Sequence, residues 1–166
     1  MTETLVPIDH NFFKEDLRHL VGERHPLSSP IRLQEAEAYL HRQFSESGLT
    51  ATTQHFQALG GTYHNVIGTA LPDTVPFQSA PPLLLAAHFD TVQGSPGADD
   101  NASALAVILH IARRVRAMKL ARPIHSIAFN LEEENLLGSS AYTALLRKNR
   151  ETIHGAIVLE CVDRKS

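Results

Sequence analysis

Residues 83–90 read LLLAAHFD and residues 124–134 read IHSIAFNLEEE, and these two stretches decide the fold. In each of them a short apolar run ends in imidazole or acidic side chains. The uninterrupted apolar run over residues 83–87 predicts a strand that is buried on both faces of a sheet, and residues 124–130 are predicted to form another buried strand. A third run over residues 155–159 ends in the same way, at Glu160.

Helical periodicity separates these predicted strands, over residues 101–118 and again over residues 139–149. The alternation of strand and helix predicts an α/β fold, with a mainly parallel or mixed sheet and helices on both faces. The preceding chain adds further predicted elements, which are helices over 9–22 and 32–47, strands over 50–57 and 62–69, and a loop over 72–82. No segment has the composition of a linker, so we expect residues 1–166 to form a single domain.

Composition and charge argue against several classes of partner. The net charge is −3 and the Lys and Arg residues are scattered, which disfavours nucleic-acid binding. No apolar run approaches the length of a membrane span, and the N-terminus lacks the apolar core of a signal peptide. Cys161 is the single cysteine and has no internal partner for a disulfide, so we expect a cytoplasmic protein.

Candidate functional side chains follow the predicted strands, where open α/β sheets place their ligands. They are His88 and Asp90, Asp99 and Asp100, Glu132, Glu133 and Glu134, and Glu160. Each has an ordinary structural explanation when it is considered alone, such as a helix N-cap or an exposed acidic patch. Carboxylates gathered at one edge repel each other unless a cation lies among them, and an imidazole with several carboxylates suits zinc.

Three short motifs in the same order resemble the M28 family of zinc aminopeptidases. They are AHFDT at residues 87–91, PGADDNAS at 96–103, and the Glu132–Glu133 pair with GS at 138–139. The upstream YHNVIG at residues 63–68 and GERH at 22–25 are also similar to that family. The resemblance covers essentially the whole chain and implies a zinc-dependent exopeptidase fold.

The resemblance also implies a role for each matching residue. His88 would bind one zinc, with Asp90 behind it, and Asp100 would bridge two zinc ions and precede a cis peptide bond. Glu132 would be the general base. The remaining two ligands would be Glu133 on the second zinc and Glu160 on the first. The substrate would be a peptide with a free N-terminus.

The sequence departs from the family pattern at three places. Asn135 and Ala104 stand where the family commonly has glycine. The late histidine that the family uses on its second zinc has no counterpart after Glu160, and His154 precedes the last strand, at the wrong end to reach the site. We therefore expect a domain that is truncated at its C-terminus, binds one zinc more tightly than a second, and has weak or no activity.

Two other functions remain open. One is a glutaminyl-cyclase-like acyltransferase with a single zinc, which the histidine at position 88 disfavours. The other is a non-catalytic remnant or interaction module that keeps the fold. In either case we expect an exposed sheet edge near the C-terminus through which the chain could associate with itself.

Overall fold

The computed structural model describes residues 10–162, which form a five-stranded sheet with helices on both faces. The helices are α1 (His10–Leu20), α2 (Pro30–Glu46), α3 (Val75–Gln78), α4 (Ala104–Val115) and α5 (Leu137–Asn149). The strands are β1 (Thr50–Ala58), β2 (Gly61–Ala70), β3 (Leu83–His88), β4 (Ile124–Phe129) and β5 (Gly155–Val158). None of the helices in this part of the chain is both long enough and apolar enough to cross a membrane.

The sheet is mixed, with the strand order β1-β2-β4-β3-β5. β3 pairs in parallel with both β4 and β5, whereas β2 pairs antiparallel with β1 and with β4. The predicted α/β class, with its mainly parallel or mixed sheet, is therefore confirmed. Pairing of β2 with β4 begins only at Val66, opposite Ala128, so residues 61–65 continue past the paired part of β4.

The strands lie within a residue or two of their predicted positions, and the differences concern helices. The helix predicted over residues 9–22 is observed as α1, and residue 9 lies outside the described range. α2 begins at Pro30 because proline is well tolerated in the first helical turn. The predicted loop over residues 72–82 contains the one-turn helix α3. The helix predicted from residue 101 begins instead at Ala104.

The late start of α4 has a visible cause in the backbone. Asp100 and Asn101 have non-helical φ/ψ angles of −106°/90° and −135°/35°, so residues 98–103 form an irregular turn before the helix. The Asp100–Asn101 peptide bond is cis, as the family resemblance implied.

Each face of the sheet carries its own apolar core. α1, α2 and α4 cover one face with a cluster that includes Leu40, Phe44, Leu105 and Leu109, all less than 2 % exposed. α5 covers the other face, where Tyr142 packs with a smaller cluster from β3 and β4. Burying each large side chain stabilises the folded state by about 1.5–3 kcal/mol, so these two clusters contribute strongly to the free energy of unfolding.

A buried polar group joins the three helices of the first face. Asp16 on α1 is fully buried and accepts two hydrogen bonds from Arg113 on α4, at 2.6 and 2.7 Å. Tyr39 on α2 donates to the same carboxylate at 2.7 Å. These bonds compensate the cost of burying the charge and hold α1 against α2 and α4.

β5 lies at the edge of the sheet in the described part of the chain. Ile157 and Val158 are 50 % and 66 % exposed. The exposed apolar strand agrees with the expected sheet edge. Self-association through it stays a prediction.

Candidate metal centre

His88 is the last residue of β3, and its imidazole faces a group of carboxylates. The residue is 3 % exposed. Its Nε2 atom lies 2.9 Å from Asp100 Oδ1 and 3.2 Å from Glu160 Oε1. β3 and β5 are parallel neighbours, which brings residue 160 beside residue 88 although 72 positions separate them. Three residues that the sequence predicted as ligands of one metal are therefore adjacent in space.

Asp90 lies behind this group and contacts two segments. It is fully buried, and its carboxylate accepts hydrogen bonds from the backbone N–H groups of Glu132 at 2.9 Å and Glu133 at 3.0 Å. His88 Nδ1 lies 3.2 Å from the Asp90 carbonyl oxygen and 3.5 Å from the Asp90 carboxylate. The predicted position behind His88 is thus observed, and the strongest contacts of the Asp90 side chain hold the glutamate pair.

The loop that carries Asp100 is held by Arg24, which stands in the GERH motif at residues 22–25 but was given no role from the sequence. Arg24 is fully buried, and its guanidinium donates to the carbonyl oxygens of Phe89 at 2.6 Å and Gly97 at 3.1 Å. It also donates to the carbonyls of Leu20 and Gly22. Arg24 therefore links the end of β3, the Asp100 loop and the segment after α1. In the sequence Arg24 stands two residues after Gly22, in a polar segment typical of a surface loop, so its burial could not be read from the local pattern.

Asn101 connects the same loop to the end of β5. Its side-chain amide donates to the Leu159 carbonyl at 3.0 Å and to Glu160 Oε2 at 3.3 Å. The Asn101 Oδ1 atom is buried and has no hydrogen-bond partner among the described residues. This orientation holds the Glu160 carboxylate toward His88 and Asp100.

Two buried asparagines position the glutamate loop, and neither was predicted to matter. Asn65 on β2 accepts the backbone N–H of Asn130 at 2.9 Å and donates to the Gly138 carbonyl at 2.9 Å. Asn130 in turn accepts the N–H of Leu131. The sequence carries no strong signal for Asn65, because it stands beside other polar residues of β2; only its burial shows that its amide requires hydrogen-bond partners.

The ligand atoms form two compact groups around His88. One group is His88, Asp100 and Glu160, and the other is His88, Glu132 and Glu133, each with its ligand atoms within 4.8 Å of one another. Glu132 Oε2 lies 3.9 Å from His88 Nε2. The six predicted site residues thus lie together at the carboxyl edge of the sheet.

Electrostatics show that this edge has an excess of negative charge. Burial alone lowers the pKa of His88, but the hydrogen bond and charge of Asp90 and the charges of nearby glutamates raise it to about 9. Burial raises the pKa of Glu133, and the charge of Asp100 raises it further. Burial likewise raises the pKa of Glu160, although His88 partly offsets that effect.

The residues fit a divalent cation. The neighbouring carboxylates stabilise a proton on His88, because the proton adds positive charge among them. A metal ion would supply that positive charge instead. One imidazole with carboxylate oxygens is a donor set that zinc accepts. His88, Asp100 and Glu160 would hold such an ion, and Glu133 with Asp100 offers two donors for a second.

The structure also places His154, Asn135 and Ala104, which bear on the departures of the sequence from the family pattern. The backbone N–H of His154 donates to the Pro82 carbonyl, so His154 lies at the opposite end of β5 from Glu160, as predicted. Asn135 has φ of +63°, a left-handed conformation that glycine adopts freely and asparagine tolerates better than most residues. Ala104 is fully buried at the start of α4.

The fold and the ligand groups together define a metallo-exopeptidase-like α/β unit. The chain belongs to peptidase family M28, whose family model matches residues 65–166. Aminopeptidase YwaD of Bacillus subtilis strain 168 is 34 % identical over 112 residues, which are 68 % of this chain and 23 % of that protein. The chain spans 23 % and 45 % of the length of two curated relatives that it matches.

Solved structures with the same fold include two kinds of enzyme. An aminopeptidase from Aneurinibacillus sp. strain AM-1 superposes with a TM-score of 0.79 at 17 % identity, covering 95 % of this chain and 71 % of that one. The glutaminyl cyclase of Porphyromonas gingivalis gives a TM-score of 0.73 at 23 % identity, covering 94 % and 59 %. At these identities the likeness concerns the fold alone.

Proposed function

We propose that this chain is the ligand-bearing part of a zinc-dependent aminopeptidase domain that removes N-terminal residues from peptides. The observation that carries the proposal is the contact of His88 Nε2 with Asp100 and Glu160, with Glu132 at 3.9 Å on the same side. Membership of family M28 supports peptide hydrolysis as the reaction class. We further propose that residues 1–166 belong to one peptidase domain.

Each site residue has a task in this proposal. His88, Asp100 and Glu160 would hold the first zinc, and Asp100 with Glu133 would hold a second. When bound, zinc supplies Lewis acidity, which polarises a carbonyl and makes water a stronger acid.

Proton transfer falls to Glu132, whose side chain is one-third exposed at the edge of the group. It would accept a proton from the attacking water and deliver it to the leaving amine as the peptide bond breaks. Asp90 fixes the backbone positions of Glu132 and Glu133 by accepting hydrogen bonds from both of their N–H groups. The carboxylates that remain around the site also favour the protonated α-amine of a peptide substrate.

We expect the 166-residue chain to bind one zinc more tightly than a second, because the first set has three protein ligands and the second has two. Calorimetric titration with zinc would measure both affinities, and hydrolysis of leucine p-nitroanilide would measure activity. Two equally tight zinc ions with full turnover would contradict the unequal sites. Absence of any zinc binding would contradict the proposed function.

Two variants at neighbouring positions distinguish a role in proton transfer from a role in zinc binding. Glu132→Gln should keep the first zinc and reduce turnover at least a hundredfold, since general-base catalysis contributes about 10²–10⁴. Glu134→Gln is the matched control, because its carboxylate lies 3.6 Å from His25 and outside both ligand groups. Equal loss of turnover in both variants would argue against a base at Glu132.

The same preparation tests the alternative that the glutaminyl cyclase fold keeps open. A peptide with N-terminal glutamine would be converted to the pyroglutamyl peptide by an acyltransferase and shortened by an aminopeptidase. Mass spectrometry distinguishes the two products. Zinc binding without either reaction would favour a non-catalytic module.

A further inference from the structure

A cavity of about 600 Å³ lies between α2 and the β1–β2 hairpin, apart from the ligand groups. Its wall includes polar side chains from α2, β1, β2 and the loop after β4, namely Glu37, His41, Thr53, Tyr63, His64 and Asn130. Nothing in the proposed chemistry uses this space. Its volume is sufficient for the side chain of one amino-acid residue and the adjoining backbone.

The cavity lies at the same edge of the sheet as the metal centre. Residues 61–65 of β2 extend past the paired part of β4, and residues 61–64 form one wall. Asn130, another wall residue, is two positions before Glu132. Pro26 also lines the cavity, and the adjacent His25 contacts Glu134. The loop that carries Glu132 and Glu133 therefore has His88 on one side and the cavity on the other.

Strand order gives this arrangement a direction. From β5 through β3 and β4 to β2, the edge presents Glu160, then His88, then Glu132, and then the cavity. The proposed proton donor to the leaving amine thus lies between the metal ligands and the cavity. A peptide whose scissile bond is at the metal centre would direct its leaving part past Glu132 toward the hairpin.

The charge of the wall restricts what it would accept. Glu37 is the one carboxylate among the described lining residues, and none of them is a lysine or arginine. Its Oε1 atom lies 2.6 Å from His64 Nδ1, and both side chains are about three-quarters buried, at 21 % and 28 % exposure. A carboxylate in this position attracts a cationic side chain and repels an anionic one.

We propose, on the basis of the proposed aminopeptidase function, that this cavity binds the residue on the carboxyl side of the scissile bond. Glu37 would select Lys or Arg there over Asp or Glu. The cavity would act on the leaving part of the peptide and leave the choice of N-terminal residue unchanged.

Two variants test the cavity with a matched control. Glu37→Gln removes the charge, and Ala38→Trp fills the space from an exposed position of α2. Glu35→Gln is the control, because Glu35 is exposed on the same helix and pairs with Arg32 outside the cavity. Substrates are the peptides Leu-Lys-Ala and Leu-Glu-Ala together with leucinamide, whose leaving group is ammonia and has no side chain to enter the cavity.

Wild-type chain should hydrolyse the lysine peptide with the higher kcat/KM. Glu37→Gln should reduce the lysine-to-glutamate ratio about two- to fivefold, the range measured for partly exposed ion pairs. Ala38→Trp should slow both peptides and leave leucinamide unchanged. An unchanged ratio in Glu37→Gln, or equal slowing of the peptides and leucinamide by Ala38→Trp, would overturn the inference. A shift in preference between leucine and phenylalanine anilides would assign the cavity to the N-terminal residue instead and would also overturn it.

Binding separates this inference from the proposed function. Fluorescence anisotropy of labelled Leu-Lys-Ala and Leu-Glu-Ala on the zinc-loaded chain needs no turnover. If no substrate is hydrolysed, weaker binding of the lysine peptide to Glu37→Gln and Ala38→Trp would still support the cavity. Equal binding of both peptides to all variants would reject it.

Discussion

Asp90 Oδ1 accepts the backbone N–H of Glu132 at 2.9 Å, and this bond ties the end of β3 to the loop after β4. The second carboxylate oxygen accepts the next N–H along, so both oxygens are used by the glutamate pair. Asp90, two positions after His88, thereby fixes the backbone position of Glu132, the proposed general base. The relationship depends on a charged, two-acceptor side chain in a fully buried position.

Asp90→Asn should therefore disturb the site although the change is nearly isosteric. An amide has one acceptor oxygen, and its NH₂ group would face a backbone N–H that also donates. We expect zinc affinity to fall about 10–100-fold, as for other residues that orient metal ligands. Calorimetric titration measures this, with the exposed Asp73→Asn as control. Wild-type zinc affinity in Asp90→Asn would show that the backbone bonds are dispensable.

Arg24→Met should destabilise the fold more than the loss of an ordinary arginine. The buried carbonyls of Phe89 and Gly97 would lose their donor, and burial has already lowered the pKa of Arg24 to about 10. We expect the free energy of unfolding to fall by about 3 kcal/mol, since each unsatisfied buried group costs about 1–3 kcal/mol.

Urea unfolding with Arg42→Met as the comparison tests the role of Arg24, because Arg42 has a side chain that is 54 % exposed. Arg24→Lys should recover part of the lost stability through its remaining donors. A small effect of Arg24→Met, equal to that of Arg42→Met, would mean that the loop does not depend on this side chain.

Gly138→Ala should displace the glutamate loop. A Cβ atom at this position would lie 2.1 Å from the Asn130 carbonyl and 2.5 Å from Asn65 Oδ1, which holds the Asn130 backbone. Relief of such overlap costs about 1–3 kcal/mol of stability. Gly155→Ala is the control, since its nearest neighbour would be 3.9 Å away.

Thermal unfolding should thus show a lower Tm for Gly138→Ala and little change for Gly155→Ala. Affinity for the second zinc should fall in Gly138→Ala only, because the proposed Glu133 ligand moves with the loop. Normal stability of Gly138→Ala would indicate that α5 can shift without cost.

His125 should make stability depend on pH below 6.5, the ordinary pKa of histidine. Burial on β4 lowers the pKa of His125 from 6.5, with a smaller opposing effect of Glu151. The unfolded chain therefore binds the proton more readily than the folded chain. Stability from the neutral imidazole is present above 6.5 and is lost as the pH falls from that value through the lowered pKa.

The difference in unfolding free energy between wild type and His125→Gln, measured from pH 5 to 7.5, isolates this group. It should move in favour of the variant as the pH falls. His154→Gln serves as the comparison, because His154 is exposed beside the same sheet. A pH-independent difference for His125→Gln would contradict the assigned cause.

Much of the proposed site could be predicted from local sequence. His88, Asp100, Glu132, Glu133 and Glu160 each follow an apolar strand or open a helix, and parallel strands bring such positions to one edge. The β3 run was recognisable because burial on both faces leaves little tolerance for polar residues, and the β4 and β5 runs were recognisable from their mainly apolar character. Helix boundaries were less predictable, since the turn before Ala104 depends on the backbone of Asp100 and Asn101.

The sequence by itself thus determined the α/β class, the identity of the candidate ligands and the family resemblance, because these depend on short-range patterns of polarity. Only the tertiary structure decided that Asp90 holds the glutamate pair, that Arg24 and Asn65 support two loops, and that β2 extends beside β4 to form the Glu37 cavity. The hydrogen bonds from Asp90 to Glu132, from Asn65 to Asn130 and from Arg24 to Gly97 join residues 42 to 73 positions apart. Local polarity does not encode such contacts, because they arise when strand order brings buried polar groups together and each must find a partner.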